Sequence, residues 1–266
     1  MRIALGLEYD GCAFRGWQSQ AGGGTVQDAL EAALAAIAET PLRAVCAGRT
    51  DAGVHALMQV VHVDTDVARP ESAWVRGVNA HLPVSVAVRW AMEVPDSFHA
   101  RFSATARRYR YLLLNRPERP ALLAGKVGWF HRPLDVEAMG QAAAYLQGEH
   151  DFSAFRAADC QAKSPVKIVR SVSISRENDL IAIDIEANAF LYHMVRNIVG
   201  SLVFVGKGLK APDWIGELLA ARERHLAAPT FSPDGLYLAS ISYDSSFNLP
   251  MKSVNSLFEA WGGANV

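Results

Sequence analysis

The sequence predicts an α+β protein of two halves, each a ferredoxin-like split β-α-β unit with a mainly antiparallel sheet, the two sheets meeting at a central cleft. Three observations predict it. Short runs rich in β-branched residues alternate with segments of helical period along the whole chain. Turn signals pair neighbouring runs as hairpins within each half. A stretch at residues 95–104 reads as a linker, dividing residues 1–104 from residues 105–244, and residues 245–266 lack periodicity and read as a tail.

The elements follow in order. Met1, Ile3, Leu5, Leu7 and Tyr9 alternate with smaller or polar residues, the pattern of a half-buried strand. Gly22-Gly-Gly24 is followed by no Gly-Lys-Ser/Thr, which excludes a P-loop. Thr25 and Asp28 instead form a capping box, opening a helix with Val26, Leu30, Ala33, Leu34 and Ile37 at helical spacing and Pro41 beyond its end. Residues 43–46 and 57–63 are strands, 70–81 a second helix and 85–94 another strand. Residues 105–115 begin the second half as a strand, with Arg108, Arg110 and Leu112 on one face and Arg107, Tyr109 and Tyr111 on the other. A helix is expected at 135–147, a hairpin from 168–175 and 180–187, helices at 190–205 and 212–222, and a strand at 236–243 that closes the second sheet.

Composition excludes several classes. Half of the 266 residues are hydrophobic and a fifth are charged, a globular balance able to bury a large core. Cys12, Cys46 and Cys160 lie far apart, which excludes closely spaced zinc ligands and a disulfide framework and points to a reducing, cytoplasmic setting. The N-terminus reaches Glu8 too early for a signal peptide, and the longest apolar stretch contains His193, Arg196 and Asn197, so no membrane span is expected. The net charge is −1, yet residues 97–132 carry eight Arg or Lys against one acid, Glu118. Such a basic stretch in an otherwise acidic chain is the footprint of a phosphate-rich ligand.

Candidate chemistry gathers around residues 47–56. Gly48 and Gly53 allow a turn between two strands, and Arg49, Thr50 and Asp51 put a cation, a hydroxyl and a carboxylate in one small space. Asp is an ordinary turn-former; the apolar surroundings and adjacent cation make Asp51 the reactive candidate. The loop at residues 10–20 combines Phe14, Arg15, Trp17 and Gln18, which serves either as an anchored polar loop or as a holder of unpaired bases. Arg196 lies in a helix apolar almost all round, so its guanidinium must reach water or a carboxylate, for which Asp51 is the candidate. Tyr109, among Arg107, Arg108 and Arg110, is either a cross-strand ring or one that stacks on an extruded base and offers its hydroxyl to a proton transfer. His62, Asp64 and Asp66 share a strand face, more simply a solvated edge than a metal site. There is no GxGxxG, HExxH, GxSxG or CxxC.

These residues together resemble the tRNA pseudouridine synthase A (TruA) family. The resemblance runs from Met1 to about Tyr243. It rests on Tyr9-Asp-Gly with Phe14-Arg-Gly-Trp-Gln, Gly48-Arg-Thr-Asp-Ala-Gly-Val-His-Ala56, Phe98-His-Ala-Arg-Phe102, Arg107-Arg-Tyr-Arg-Tyr111, His150-Asp-Phe-Ser-Ala-Phe155, Phe190-Leu-Tyr-His-Met-Val-Arg-Asn-Ile-Val-Gly200 and Gly235-Leu-Tyr-Leu238. The central segment and the Met-Val-Arg-Asn helix are the specific parts. The resemblance implies the pseudouridine synthase fold with a catalytic cleft, and cofactor-free isomerisation of uridine to pseudouridine in the tRNA anticodon arm, typically at positions 38, 39 and 40. It implies Asp51 as catalytic aspartate and Arg196 as its partner. Tyr109 would stack on the flipped base and take the C5 proton, Arg49 would extrude the nucleotide, and Leu236 would line the base pocket. Arg15, Gln18, His55 and Arg107 are the further candidate substrate contacts. Members of the family act as homodimers with one tRNA across both subunits. The rival readings are a catalytically silent RNA-binding protein and a metal-dependent hydrolase acting through Asp51, His62 and Asp64.

Overall fold

The computed structural model describes residues 1–250. The chain forms two compact units, one of Met1–Thr105 with the chain from Tyr237 on, the other of Ala106–Leu236. The architecture is mixed α+β with mainly antiparallel strands, as the sequence predicts.

In the first unit β1 (Arg2–Tyr9) leads through a loop to α1 (Val26–Ala38), β2 (Val45–Cys46), β3 (His55–Asp64), α2 (Val78–His81) and β4 (Val86–Val94). Strand β1 is central, antiparallel to β3 on one side and β4 on the other. The capping box is present: Thr25 and Asp28 each accept from the other's backbone amide. The second helix is not regular. A π-helical turn, Ala73–Gly77, precedes α2, so the expected helix at 70–81 holds two geometries. Asn79 then seals the outer edge of β4, its amide bonding both Val88 N (2.7 Å) and Val88 O (2.8 Å) as a neighbouring strand would.

The second unit holds most of β5 (Ala104–Asn115), then β6 (Gly128–Phe130), α3 (Val136–Ala144), β7 (Gly148–Asp151), β8 (Val166–Glu177), β9 (Leu180–Ala187), α4 (Met194–Gly206) and α5 (Trp214–Ala221). Strand β9 lies between β5 and β8, antiparallel to both, and β7 flanks β8. The β8–β9 hairpin turns on Asn178 and Asp179, with Asn178 in the left-handed region at φ 52°.

Three expectations need correction. Strand β10 (Leu236–Tyr243) is not confined to the second half. From Tyr237 on it belongs to the first unit, pairing parallel to β3 through Tyr237↔His55 and Leu238↔Ala56. A period-2 pattern reveals a strand but not its partner. Residues 95–104 end at the boundary between the units, as expected of a connection, but are packed: Phe98 and Ala100 are fully buried, and Phe98 packs on Tyr243 and Phe247. Helix α4 begins at Met194 instead of residue 190, because His193 takes a left-handed conformation at φ 60°. Of the expected tail, Ser245–Phe247 forms a short 3-10 turn capped by Asp244, while residues 251–266 lie outside the described residues. Among the described residues no helix is long and apolar enough to cross a membrane.

His62 ties the segment after β4 to β3, its Nδ1 accepting from Ala100 N at 3.1 Å. Burial, then the charges of Arg2 and His99, hold its pKa down to about 4 against a smaller opposing pull from Asp64. A free histidine titrates near ~6.5. The stabilisation from a neutral His62 is therefore complete above that value and is lost as pH falls toward about 4. The variant His62→Asn, which keeps an acceptor but cannot titrate there, should show a flatter loss of urea midpoint than wild type on acidification to pH ~4.5. Parallel profiles would contradict the assignment.

Candidate active site

Asp51 sits in the loop between β2 and β3. The pairing Val45↔His62 and Cys46↔Val61 lays the chain back along β3, so residues 47–54 form a longer bridge than the tight turn expected. Val54 N donates to Asp51 O at 3.1 Å, and Gly53, at φ 80°, takes the left-handed position this turn requires. Asp51 is half-buried, while Arg49 is exposed.

Buried polar groups fix this loop. Gln59, fully buried on β3, donates to Gly48 O (2.6 Å) and accepts from Gly48 N (3.4 Å). Thr50 Oγ1 shares a 2.8 Å hydrogen bond with the buried Tyr9 hydroxyl, and burial pushes that phenol's pKa upward, keeping it neutral. Trp17 N donates to Thr50 O at 3.0 Å. Residues 11–16 lie close against the loop. A Cβ on Gly11 would stand 2.1 Å from Val54 O, and one on Gly16, itself at φ 92°, would stand 2.8 Å from Thr50 O. Glycine is needed at both positions for the backbones to approach.

The other candidates of the first unit fall into two groups. His55 is 2% exposed; its Nδ1 accepts from Gly11 N at 3.1 Å and its ring stacks on Tyr237 at 4.6 Å. It supports the loop from beneath. Arg15 is exposed, and half-buried Gln18 donates to Gln27 at 2.9 Å. Asp10, Cys12 and His55 bring ligand-type atoms within 4.8 Å of one another. The Nδ1 lone pair is already occupied by Gly11 N, and Asp10 accepts from Cys12 N at 3.1 Å, so the trio braces a turn. His62 is held by Ala100 N, and Asp64 forms an ion pair with Arg2 at 2.8 Å. Two of the three residues of the hydrolase reading, His62 and Asp64, thus have structural partners.

In the second unit Arg196 is half-buried on α4, and its Nε donates to Phe231 O at 2.9 Å, an acceptor the sequence reading did not consider. Phe231 N returns a bond to Arg196 O at 3.2 Å. Gly200 allows this close passage, since a Cβ there would stand 2.3 Å from Pro229 O. One turn of α4 is braced by Asn197, fully buried, which donates to Phe155 O (2.8 Å) and accepts from Arg224 (3.0 Å) and Thr230 (2.7 Å). Tyr109 is 8% exposed and meets Phe190 edge-on at 5.0 Å. Arg107 donates to Asn188 O at 3.0 Å, and Leu236 is buried. The basic strand is partly neutralised: Arg108 and Arg110 both bond Asp184, at 3.1 and 3.0 Å.

Sequence reasoning missed Gln59 and Asn197 as positioning groups: Gln59 carries neither a charge nor a motif signal, and Asn197, though inside the Met-Val-Arg-Asn motif, is uncharged and lies beside the more conspicuous Arg196. It also missed Arg101, whose charge, with that of Arg49, opposes the burial that pushes the Cys46 thiol up to about 12.

Comparison with known proteins adds a family context. The family model described as tRNA pseudouridine synthase matches residues 7–103 and 142–244. The chain is 63% identical over 250 residues to tRNA pseudouridine synthase A of Dechloromonas aromatica (strain RCB), covering 94% of this chain and 95% of that one. It is 61% identical over 253 residues to the protein of the same name from Chromobacterium violaceum, covering 95% of this chain and 97% of that one. A much weaker likeness, with a TM-score of 0.38 and 12% identity, covers 76% of this chain and 44% of a chain in an H/ACA ribonucleoprotein bound to a substrate RNA containing 2′-deoxyuridine.

Replacing Gln59 with Leu removes the partner of both half-buried backbone groups of Gly48 and places an apolar side chain against them. The loss expected in urea unfolding is about 2–4 kcal/mol. A stability within about 0.5 kcal/mol of wild type would show that the bridge contributes nothing.

Proposed function

The chain belongs to the tRNA pseudouridine synthase family and converts uridine to pseudouridine in tRNA, and on that premise we propose that the chemistry is carried by Asp51 on uridines 38, 39 and 40 of the anticodon arm. The observation that carries this reading is the bracing of the Asp51 loop by Gln59, Tyr9 and the residue 11–16 backbone. A carboxylate that must meet one sugar atom benefits from a support that does not move.

Substrate and product are isomers, so the bonds close without an oxidant, a reductant or a second substrate, and we propose that no cofactor takes part. The N1–C1′ bond breaks, the uracil turns, and a C5–C1′ bond forms while C5 loses a proton and N1 gains one. Asp51 acts on the sugar, as nucleophile at C1′ or as base at C2′. Arg196 is proposed as the cation that keeps Asp51 ionised and aimed. Tyr109 stacks on the extruded uracil and accepts the C5 proton. Arg49 occupies the place the nucleotide leaves, offsetting part of an unstacking cost of a few kcal/mol. Leu236 supplies an apolar wall. Arg15, Gln18 and Arg107 hold neighbouring nucleotides, while His55, expected among the substrate contacts, is buried and acts by holding Gly11 against the loop. The protein is proposed to work as a cytoplasmic homodimer that holds one tRNA across both subunits.

Pseudouridine formation expels the hydrogen at uracil C5, which gives a direct assay. With tRNA tritiated at C5 and excess chelator present, wild type should release tritium from positions 38–40, and Asp51→Asn should release none while binding tRNA as wild type does. Equal release by both proteins would mean that another group acts on the sugar.

A further inference from the structure

The turn after β4 offers an aromatic ring to solvent on a rigid base. Phe102 is 76% exposed, while Phe98, four residues earlier, is fully buried. The Phe102 ring stacks on the His99 imidazole, with centroids 4.3 Å apart and planes 30° from parallel. The Arg101 guanidinium carbon lies 5.6 Å from the same ring's centroid, within cation–π range.

The turn beneath the ring is closely tied. His99 Nδ1 accepts from both Arg101 N and Phe102 N at 3.2 Å. His99 N donates to Ser103 Oγ, and Ser103 N donates back to His99 O, both at 2.9 Å. Ala100 N is held by His62, and the Tyr243 hydroxyl donates to Ala100 O at 2.6 Å. Burial and the charges of Arg2 and Arg101 hold the His99 pKa below its ordinary value, which favours the neutral ring able to accept these bonds. A ring presented this way loses little conformational freedom when a partner stacks on it.

We propose that Phe102 is a base-stacking residue for the tRNA substrate, receiving an unpaired base beside the target uridine while Arg101 meets that nucleotide's phosphate. The proposal rests on the anticodon-arm reading above and adds to it a named contact outside the reacting groups. Charge selects the occupant. Arg101 and Arg49 are both exposed, and the turn rests on β3 at His62, which takes Ala100 N, lies 4.7 Å from the His99 ring and pairs with Val45 on β2, the strand that leads into the Asp51 loop. An aromatic face beside a cation is the platform on which proteins stack single-stranded bases, and it accepts any base.

Two variants test it by tRNA affinity at fixed salt. Phe102→Leu keeps apolar bulk and removes the ring; it should raise Kd about ten-fold and leave Tm unchanged, because the ring is exposed. Phe102→Trp should bind as wild type, and the emission it adds should be quenched on tRNA binding. A wild-type Kd for Phe102→Leu, or added emission that tRNA leaves unchanged, would overturn the proposal. So would sedimentation showing that Phe102→Leu separates two copies, since the ring would then be a subunit contact. Wild-type tritium release confined to uridines outside 38–40 would refute the positional reading, while the Kd comparison would still decide the role of Phe102.

Discussion

The buried amide of Gln59 is the interaction on which the candidate site depends. It closes both hydrogen-bonding groups of Gly48 at the point where the chain leaves β2 for the Asp51 loop. Tyr9 continues the restraint from the adjacent strand through Thr50, and Trp17 adds a backbone bond from the preceding loop. A loop would ordinarily satisfy its polar groups with water. Here they are satisfied by side chains on β1 and β3, so the rigidity of the sheet reaches the residue that carries the carboxylate.

The second unit solves a related problem for a cation. An arginine on a mostly buried helix needs acceptors, and Phe231 provides one while Gly200 lets that segment approach. Asn197 anchors the same turn of the helix to Phe155, Arg224 and Thr230. On β5, Asp184 receives two arginines, so part of the basic run is spent inside the protein and the phosphate-facing charge is smaller than the sequence suggests. Both units therefore use uncharged or neutralised buried groups to position charged ones.

How much was legible follows from what patterns encode. The capping box at Thr25 and the hairpin at residues 176–179 were readable because their signals are local. The α+β class followed from alternating periods. The return of β10 to β3 was not readable, because a strand's alternation says nothing about its neighbour. The connection at residues 95–104 was readable from its turn residues, but its packing was not, because Phe98 and Ala100 find their buried places only in three dimensions. The Asp51 loop itself stood out by its glycines and cation. Its supports did not, since a buried glutamine and a distant tyrosine hydroxyl find each other only in three dimensions. For Arg196, the expectation of water or a carboxylate left out the backbone carbonyl that receives its Nε.

The central claim is that a rigid backbone around Asp51, rather than the carboxylate alone, sets the rate. The most direct test is the single-turnover rate of pseudouridine formation by Gly16→Ala, measured with tRNA affinity and Tm on the same protein. The added Cβ would stand 2.8 Å from Thr50 O, in a backbone conformation at φ 92° that alanine resists, so the loop must shift. The account predicts a folded protein with wild-type tRNA affinity and a rate roughly 100-fold lower, the scale expected of a displacement near 1 Å at a reacting group. A rate within about two-fold of wild type would contradict it.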